Sequence, residues 1–141
     1  MARISGSIIL YENTRGFISK LAIQINISYD QKIADACAVL MRRMIEILLI
    51  LSYRAQSREN EIKEPGSDQF KNLTSIVNYT ISNKVLNIQK DTAEVLHDFR
   101  ELGNFSAHGI QYNCRIEEIS KIKRSYRFAV EDLLYTAQIK K

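Results

Sequence analysis

The sequence predicts an all-α protein, an up-and-down bundle of about five helices of which two are long. The 141 residues include one proline and five glycines, too few for the many tight turns of a β-sandwich or a β-barrel. Apolar residues recur every three or four positions, the spacing that places them on one helix face. We expect a single helical domain over residues 14–141, behind an N-terminal arm of residues 1–13 that is either a short strand or a docking segment.

The first two helices follow from apolar spacing and from the polar residues that flank it. Apolar residues at helical spacing begin after Thr14 and predict a helix that ends near Asn26 and Ser28. Asp30 is the expected N-cap of a long second helix over about residues 31–58. That helix is apolar on most sides, which indicates a central position in the bundle.

Three further helices follow a turn that Pro65 and Gly66 predict. The third is expected to have its N-cap at Ser67 or Asp68. The fourth is expected to end at Gly103, because glycine favours a helix C-cap. The three helices are expected over residues 68–81, 84–102 and 114–139, the last with Asn113 as its N-cap.

The charge of the chain permits an anionic partner. Twenty basic and 16 acidic residues give a net charge of +4, and the last 30 residues are the most basic segment. A positive face of this kind is compatible with RNA binding, and equally with a solvated lysine-rich surface.

Other classes of protein and of site have little support. Cys37 and Cys114 lie far apart without a CxxC pair or a secretory leader, as in a cytoplasmic protein with reduced thiols. The longest apolar run, residues 47–51, is too short for a bilayer, which needs about 20 residues, so we expect no membrane partner. Two histidines without zinc spacing, and the absence of glycine-rich phosphate motifs, lead us to expect no metal and no cofactor.

The polar residues between the fourth and fifth predicted helices are the main candidates for chemistry. Arg100, Asn104, Ser106 and His108 occur within nine positions. His108 is suited to general acid–base catalysis near neutral pH, and Arg100 to stabilising charge on a phosphate. Alternatively, Asn104 and Ser106 satisfy helix-end groups and His108 fixes the loop through backbone carbonyls.

Two sequence elements resemble a known family. Gly-Asn-Phe-Ser-Ala-His at residues 103–108, before a long last helix, and Val-Leu-Met-Arg-Arg-Met-Ile-Glu at residues 39–46 are similar to the HEPN (higher eukaryotes and prokaryotes nucleotide-binding) family, in particular to bacterial members of uncharacterised function. Residues 15–18 and 24–29 fit the same pattern, so that the similarity covers about residues 14–139. The resemblance implies a bundle of four or more helices and a homodimer with a composite cleft.

The resemblance also implies an activity for some members, which are metal-independent ribonucleases. Their motif is an arginine, a polar residue and a histidine four to six positions after the arginine. Asn104 and His108 match the polar residue and the histidine, whereas Gly103 stands where the motif has arginine. Arg100 and Arg115 are the candidates to replace that arginine at the scissile phosphate.

Three functional hypotheses remain open from the sequence. The first is a HEPN-like module without catalysis that binds a nucleotide, RNA or a partner protein. The second is a metal-independent HEPN ribonuclease of a toxin or phage-defence system, with His108 as its acid–base group; the third is a helical subunit whose function lies in a partner. In the binding hypotheses Tyr112 and Asn113 hold a base. Arg43 either lines the pocket of His108 or forms a structural ion pair with Glu46.

Overall fold

The computed structural model describes residue 9 and residues 14–84, 86–98 and 114–140. Over these residues the chain forms an all-α bundle, which confirms the predicted fold class. A short 3-10 helix, Glu59–Ile62, follows the second α-helix. The α-helices are α1 (Gly16–Asp30), α2 (Ala34–Ala55), α3 (Leu73–Asn83), α4 (described over residues 90–98) and α5 (Ile116–Thr136).

Helix α2 lies at the centre of the bundle, as its apolar surface predicts. Half of its residues are buried, and both α1 and α5 pack against it. The Cys37 thiol lies 3.7 Å from the Ile25 carbonyl oxygen of α1, and the buried Tyr126 hydroxyl of α5 donates to the Met41 carbonyl oxygen at 2.8 Å. The three helices therefore share one core.

Helix α1 is longer than predicted, because Asn26 and Ser28 do not end it. Both side chains are buried within the helix. The Ser28 hydroxyl donates to the Ile25 carbonyl oxygen at 2.9 Å. The Asn26 amide binds the backbone of Ile9 twice: Nδ2 donates to the Ile9 carbonyl oxygen at 3.0 Å, and Oδ1 accepts from the Ile9 N–H at 3.1 Å. Ile9, the one residue of the predicted arm within the described part, is thereby fixed to α1.

The start of α2 also differs from the prediction. Asp30 is the last residue of α1, and α2 begins at Ala34 with Ile33 as its N-cap. Lys32 between the two helices has a positive φ of 59°, which breaks the helical path. Asp30 was therefore wrongly predicted as the N-cap of α2.

Helix α3 begins five residues later than expected, at Leu73. The Asn72 side chain accepts a hydrogen bond from the Ser75 N–H at 2.8 Å, which makes Asn72 the N-cap. The predicted turn is confirmed, with Gly66 at a φ of 69° that glycine adopts without strain. An isolated antiparallel bridge between Lys63 and Phe70 closes this loop.

Helix α4 begins at residue 90 rather than 84. A side chain of α5 binds the start of this helix. Asp132 Oδ2 accepts from the Gln89 N–H at 2.9 Å and from Thr92 Oγ1 at 2.8 Å. Helix α5 itself begins two residues later than predicted, where Glu118 accepts from the Arg115 N–H at 3.2 Å. The predicted end of the fourth helix at Gly103 and the predicted cap Asn113 lie outside the described residues. In the part of the chain that is described, no helix has the length and apolarity needed to cross a membrane.

Candidate functional site

Most of the residues that the sequence singles out lie beyond the described part of the chain. Arg100, Asn104, His108, Tyr112 and Asn113 all belong to the segment 99–113, so that their mutual distances stay predictions. Covalently, this segment joins Asp98, the last described residue of α4, to Cys114, two residues before α5.

The predicted ion pair between Arg43 and Glu46 is wrong. Arg43 is exposed on α2, and the ion pairs among the described residues do not include it. Its neighbour Arg42 is half-buried, and Arg42 Nε is enclosed without a hydrogen-bond partner in the described structure. Arg43 is therefore available to solvent and does not neutralise Glu46.

Arg115 lies at the entrance to α5, in a segment that is anchored to α2. The Cys114 N–H donates to Asp35 Oδ1 at 2.7 Å, and Asp35 belongs to the first turn of α2. The Arg115 side chain is exposed one residue later. The anchor fixes where the chain emerges from segment 99–113.

A cleft of about 720 Å³ separates α4 from α5. We call it the α4–α5 cleft. Its α4 wall is acidic and its α5 wall carries two cations, with apolar side chains on both. The α4 wall is formed by Asp91, Glu94, Val95 and Asp98, and the α5 wall by Glu118, Lys121, Ile122, Arg124, Ser125 and Phe128.

The two helices that line this cleft are antiparallel. Thr92 near the start of α4 contacts Asp132 in the second half of α5. Asp98 further along α4 shares the cleft with residues 118–128, all of which precede Asp132. The cleft therefore extends from the anchored start of α4 toward Asp98 on α4 and Glu118 on α5.

Three carboxylates of α5 are engaged within the protein, whereas the two cations of the cleft form no ion pair among the described residues. Glu118, which lines the same wall, accepts from the Arg115 N–H at 3.2 Å. Glu131 forms an ion pair with Lys140 at 2.8 Å, and Asp132 binds the first turn of α4. Lys121 and Arg124 take part in none of the ion pairs of the described chain. Their positive charge is thus available to a ligand on this side of the cleft.

An aromatic stripe continues from these cations along α5. Phe128 is 48% exposed and Tyr135 is 53% exposed. Phe128 and Tyr135 come four and eleven positions after Arg124, a spacing that places all three close to one face of the helix. Exposed aromatic rings beside unpaired cations can stack on bases while the cations bind phosphates.

A second polar cluster, between the 3-10 helix and α3, is already satisfied internally. The Tyr79 hydroxyl donates to Glu61, Arg58 Nε donates to the same carboxylate at 2.6 Å, and the buried Tyr53 and Thr80 hydroxyls are hydrogen-bonded at 2.7 Å. The hydrogen bonds from Tyr79 and Arg58 lower the pKa of Glu61. Because its groups bind one another, this cluster has a structural role.

Among the described residues, neither the α4–α5 cleft nor this second cluster forms a metal centre. No three histidine, cysteine, aspartate or glutamate side chains within the described ranges come together in a way that could hold a metal ion. The chain matches no protein-family model, no curated protein and no solved structure. The geometry of the cleft and the sequence motif are therefore the features that point to a function.

Sequence reasoning identified the basic last helix without identifying the cleft residues. Phe128 lies off the predicted core face of α5, and that departure was the available signal. Lys121 and Arg124 precede Phe128 in the sequence, in the run Lys-Ile-Lys-Arg-Ser-Tyr-Arg of residues 121–127. Nothing in the sequence indicated that the acidic residues of α4 line a cleft, because the pattern of residues 91–98 is also typical of a solvated helix face.

Proposed function

We propose that this protein is a HEPN-like module that binds RNA or a nucleotide in the α4–α5 cleft. The observation that carries the proposal is that Lys121 and Arg124, two cations with no ion-pair partner among the described residues, line one cavity with the exposed ring of Phe128. The cations supply charge-assisted contacts to phosphate, and the ring supplies a stacking surface for a base. A protein partner would not require this combination.

The sequence motif supports the same location. Asn104 and His108 belong to the segment that connects the two helices of the cleft. The chain thus attaches the motif of the resemblance to both walls of the proposed binding site. In the sequence, Arg100 and Arg115 lie at or near the two ends of that segment, and Tyr112 and Asn113 come four and three residues before the first residue of α5.

A binding experiment tests the proposal. We expect a labelled single-stranded RNA to bind in a fluorescence-anisotropy titration with chelator present. Arg124→Ala should weaken binding by about tenfold or more, because a charge-assisted hydrogen bond contributes roughly 1.5–3 kcal/mol. Lys20→Ala, at an exposed position of α1, is the matched control and should bind like the wild type. Equal binding by both variants would contradict a site at Arg124.

Catalysis by His108 is the second candidate function, because its segment connects the two helices of the cleft in the sequence. In that reaction the 2′-hydroxyl attacks the neighbouring phosphorus, the bond to the 5′-oxygen breaks, and the 5′-oxygen takes up a proton. The imidazole would transfer the proton, and an arginine would stabilise the phosphorane. RNA cleavage with chelator present, lost in an equally folded His108→Ala variant, would establish a ribonuclease; binding without cleavage by the wild type would leave the binding module.

We further propose a cytoplasmic homodimer, as the family resemblance implies. Helix α1 exposes three large apolar side chains, Ile23 and Ile27 on the side opposite to its core face and Phe17 at the flank of that face, which are 38%, 50% and 49% exposed. A second copy would remove these side chains from water. Sedimentation analysis of the wild type and of Phe17→Ser tests the pairing: a monomeric wild type would refute it, and a monomeric variant beside a dimeric wild type would place it at α1.

A further inference from the structure

The acidic wall of the α4–α5 cleft is unexpected in a site that binds phosphate. Asp91, Glu94 and Asp98 occur at i, i+3 and i+7 and line one side of the cavity, and none has an ion-pair partner among the residues that the structure describes. A phosphate on this wall would be repelled. The wall therefore needs a ligand group that donates hydrogen bonds.

The positions of the side chains along the two helices match such a ligand. From the contact between Thr92 and Asp132, Glu94 lies about 3 Å along α4 and Phe128 about 6 Å back along α5, at 1.5 Å per residue. By the same count, Asp98 is about 9 Å along α4, close to the level of Ser125. A ring stacked on Phe128 thus has its edge between the two carboxylates.

We propose that Glu94 and Asp98 read the base of a single-stranded RNA in this cleft, with a preference for guanine. This inference rests on the proposed function. The N1–H and the N2 amino group of guanine lie side by side and can donate together to the two oxygens of one carboxylate, so that the Watson–Crick edge is the recognised edge. Adenine and cytosine offer only one amino group as donor on this edge. In uracil the N3–H lies between two carbonyl oxygens, and both oxygens repel a carboxylate.

The cations determine which way the nucleotide is oriented in the cleft. Lys121 and Arg124 are on the opposite wall from Glu94 and Asp98, and the one carboxylate on their own wall, Glu118, accepts from the Arg115 N–H. The phosphates therefore lie along α5 and the base points toward α4. One nucleotide therefore satisfies both walls at once. A free phosphate or a polyanion without bases satisfies the α5 wall alone.

Four labelled pentanucleotides test the base preference. They are UUGUU, UUAUU, UUCUU and UUUUU, titrated against the wild type, Glu94→Gln and Asp98→Asn by fluorescence anisotropy. We expect the wild type to bind UUGUU roughly tenfold more tightly than UUUUU, within the range of a good bidentate contact. Each isosteric variant should reduce that ratio to about threefold or less, and should tighten binding of UUUUU because a negative charge has been removed.

The controls separate this inference from the proposed function. Glu64→Gln, an exposed carboxylate of the Pro65–Gly66 loop, should leave both the ratio and the affinity for UUUUU unchanged. Tight RNA binding with a base preference that neither Glu94→Gln nor Asp98→Asn alters would overturn the base-reading role and leave RNA binding intact. Failure of every oligonucleotide to bind the folded wild type would overturn both.

Discussion

Asn26 is the single residue on which the position of the N-terminal arm most clearly depends. It is 2% exposed, and its amide binds both the N–H and the carbonyl oxygen of Ile9. Asn26→Leu keeps the approximate volume and leaves both backbone groups of Ile9 without a partner. We expect the free energy of unfolding in urea, followed by circular dichroism, to fall by about 2–3 kcal/mol.

Gln24→Leu is the matched control for this prediction. Gln24 is exposed on the same helix, and substitution at such a position usually changes the free energy of unfolding by less than about 0.5 kcal/mol. If Asn26→Leu were as stable as Gln24→Leu, the two hydrogen bonds to Ile9 would contribute nothing to the folded state.

Asn26 also explains a limit of the sequence prediction. Asparagine inside an amphipathic pattern ordinarily indicates a helix end, because its side chain competes with the backbone for hydrogen bonds. Here that side chain binds Ile9, which is 17 residues away in the chain. A long-range contact of this kind has no local signature, so that apolar spacing located α1 while its end was predicted too early.

At the scale of elements, α4 depends on a side chain that belongs to α5. Asp132 accepts hydrogen bonds from the Gln89 N–H and from Thr92 Oγ1 and so acts as an N-cap supplied by another helix. We expect Asp132→Ala to destabilise the protein by about 1–2 kcal/mol, the range for loss of an N-cap. Hydrogen exchange at the backbone amides of residues 90–98 should also become faster.

Two further variants make this prediction specific. Asp132→Asn retains an oxygen acceptor and should lose less stability than Asp132→Ala. Glu131→Ala removes the adjacent carboxylate, whose partner Lys140 forms a surface ion pair typically worth at most about 1 kcal/mol. Faster exchange over residues 90–98 in Glu131→Ala, and not in Asp132→Ala, would contradict the assignment.

The same dependence shows why helices were easier to predict than the cleft. The apolar stripe of α5 is a local pattern, and it correctly placed Ile119, Tyr126 and Leu133 in the core. The start of α4 and the α4–α5 cleft arise from residues that are about 30 to 40 positions apart. No spacing rule brings Glu94 opposite Phe128, and only the antiparallel packing of the two helices does so.

At the scale of the whole molecule, the buried core sets the response of stability to alkaline pH. Burial raises the pKa of the Cys37 thiol to about 11, despite an opposing hydrogen bond with Ser28. Burial also raises the pKa of Tyr126 well above its ordinary value, with a further contribution from Cys37. Both groups are neutral in the fold and lie where α1, α2 and α5 meet, so that their ionisation affects all three helices.

The sign of the effect follows from linkage between protonation and folding. A group whose pKa is raised in the folded state contributes stability that is fully present below its unfolded pKa and is lost as the pH rises through its folded pKa. For Cys37 the reference value is 9.0 and the folded value is about 11. The contribution of the Cys37 thiol to the free energy of unfolding should therefore be constant below pH 8 and decline between about pH 9 and 11.

Cys37→Ala tests this prediction through the slope of stability against pH. The variant loses some packing at every pH, since Cys37 is fully buried, but it lacks the thiol that titrates. We expect its free energy of unfolding, measured in urea from pH 8 to 11, to fall less steeply than that of the wild type. The remaining decline comes from tyrosines whose pKa is also raised in the fold, namely Tyr53, Tyr79 and Tyr126. The exposed residue Ala36 provides the control Ala36→Ser, whose slope should equal that of the wild type. Identical slopes in Cys37→Ala and the wild type would mean that the Cys37 thiol does not couple its ionisation to the packing of the three helices.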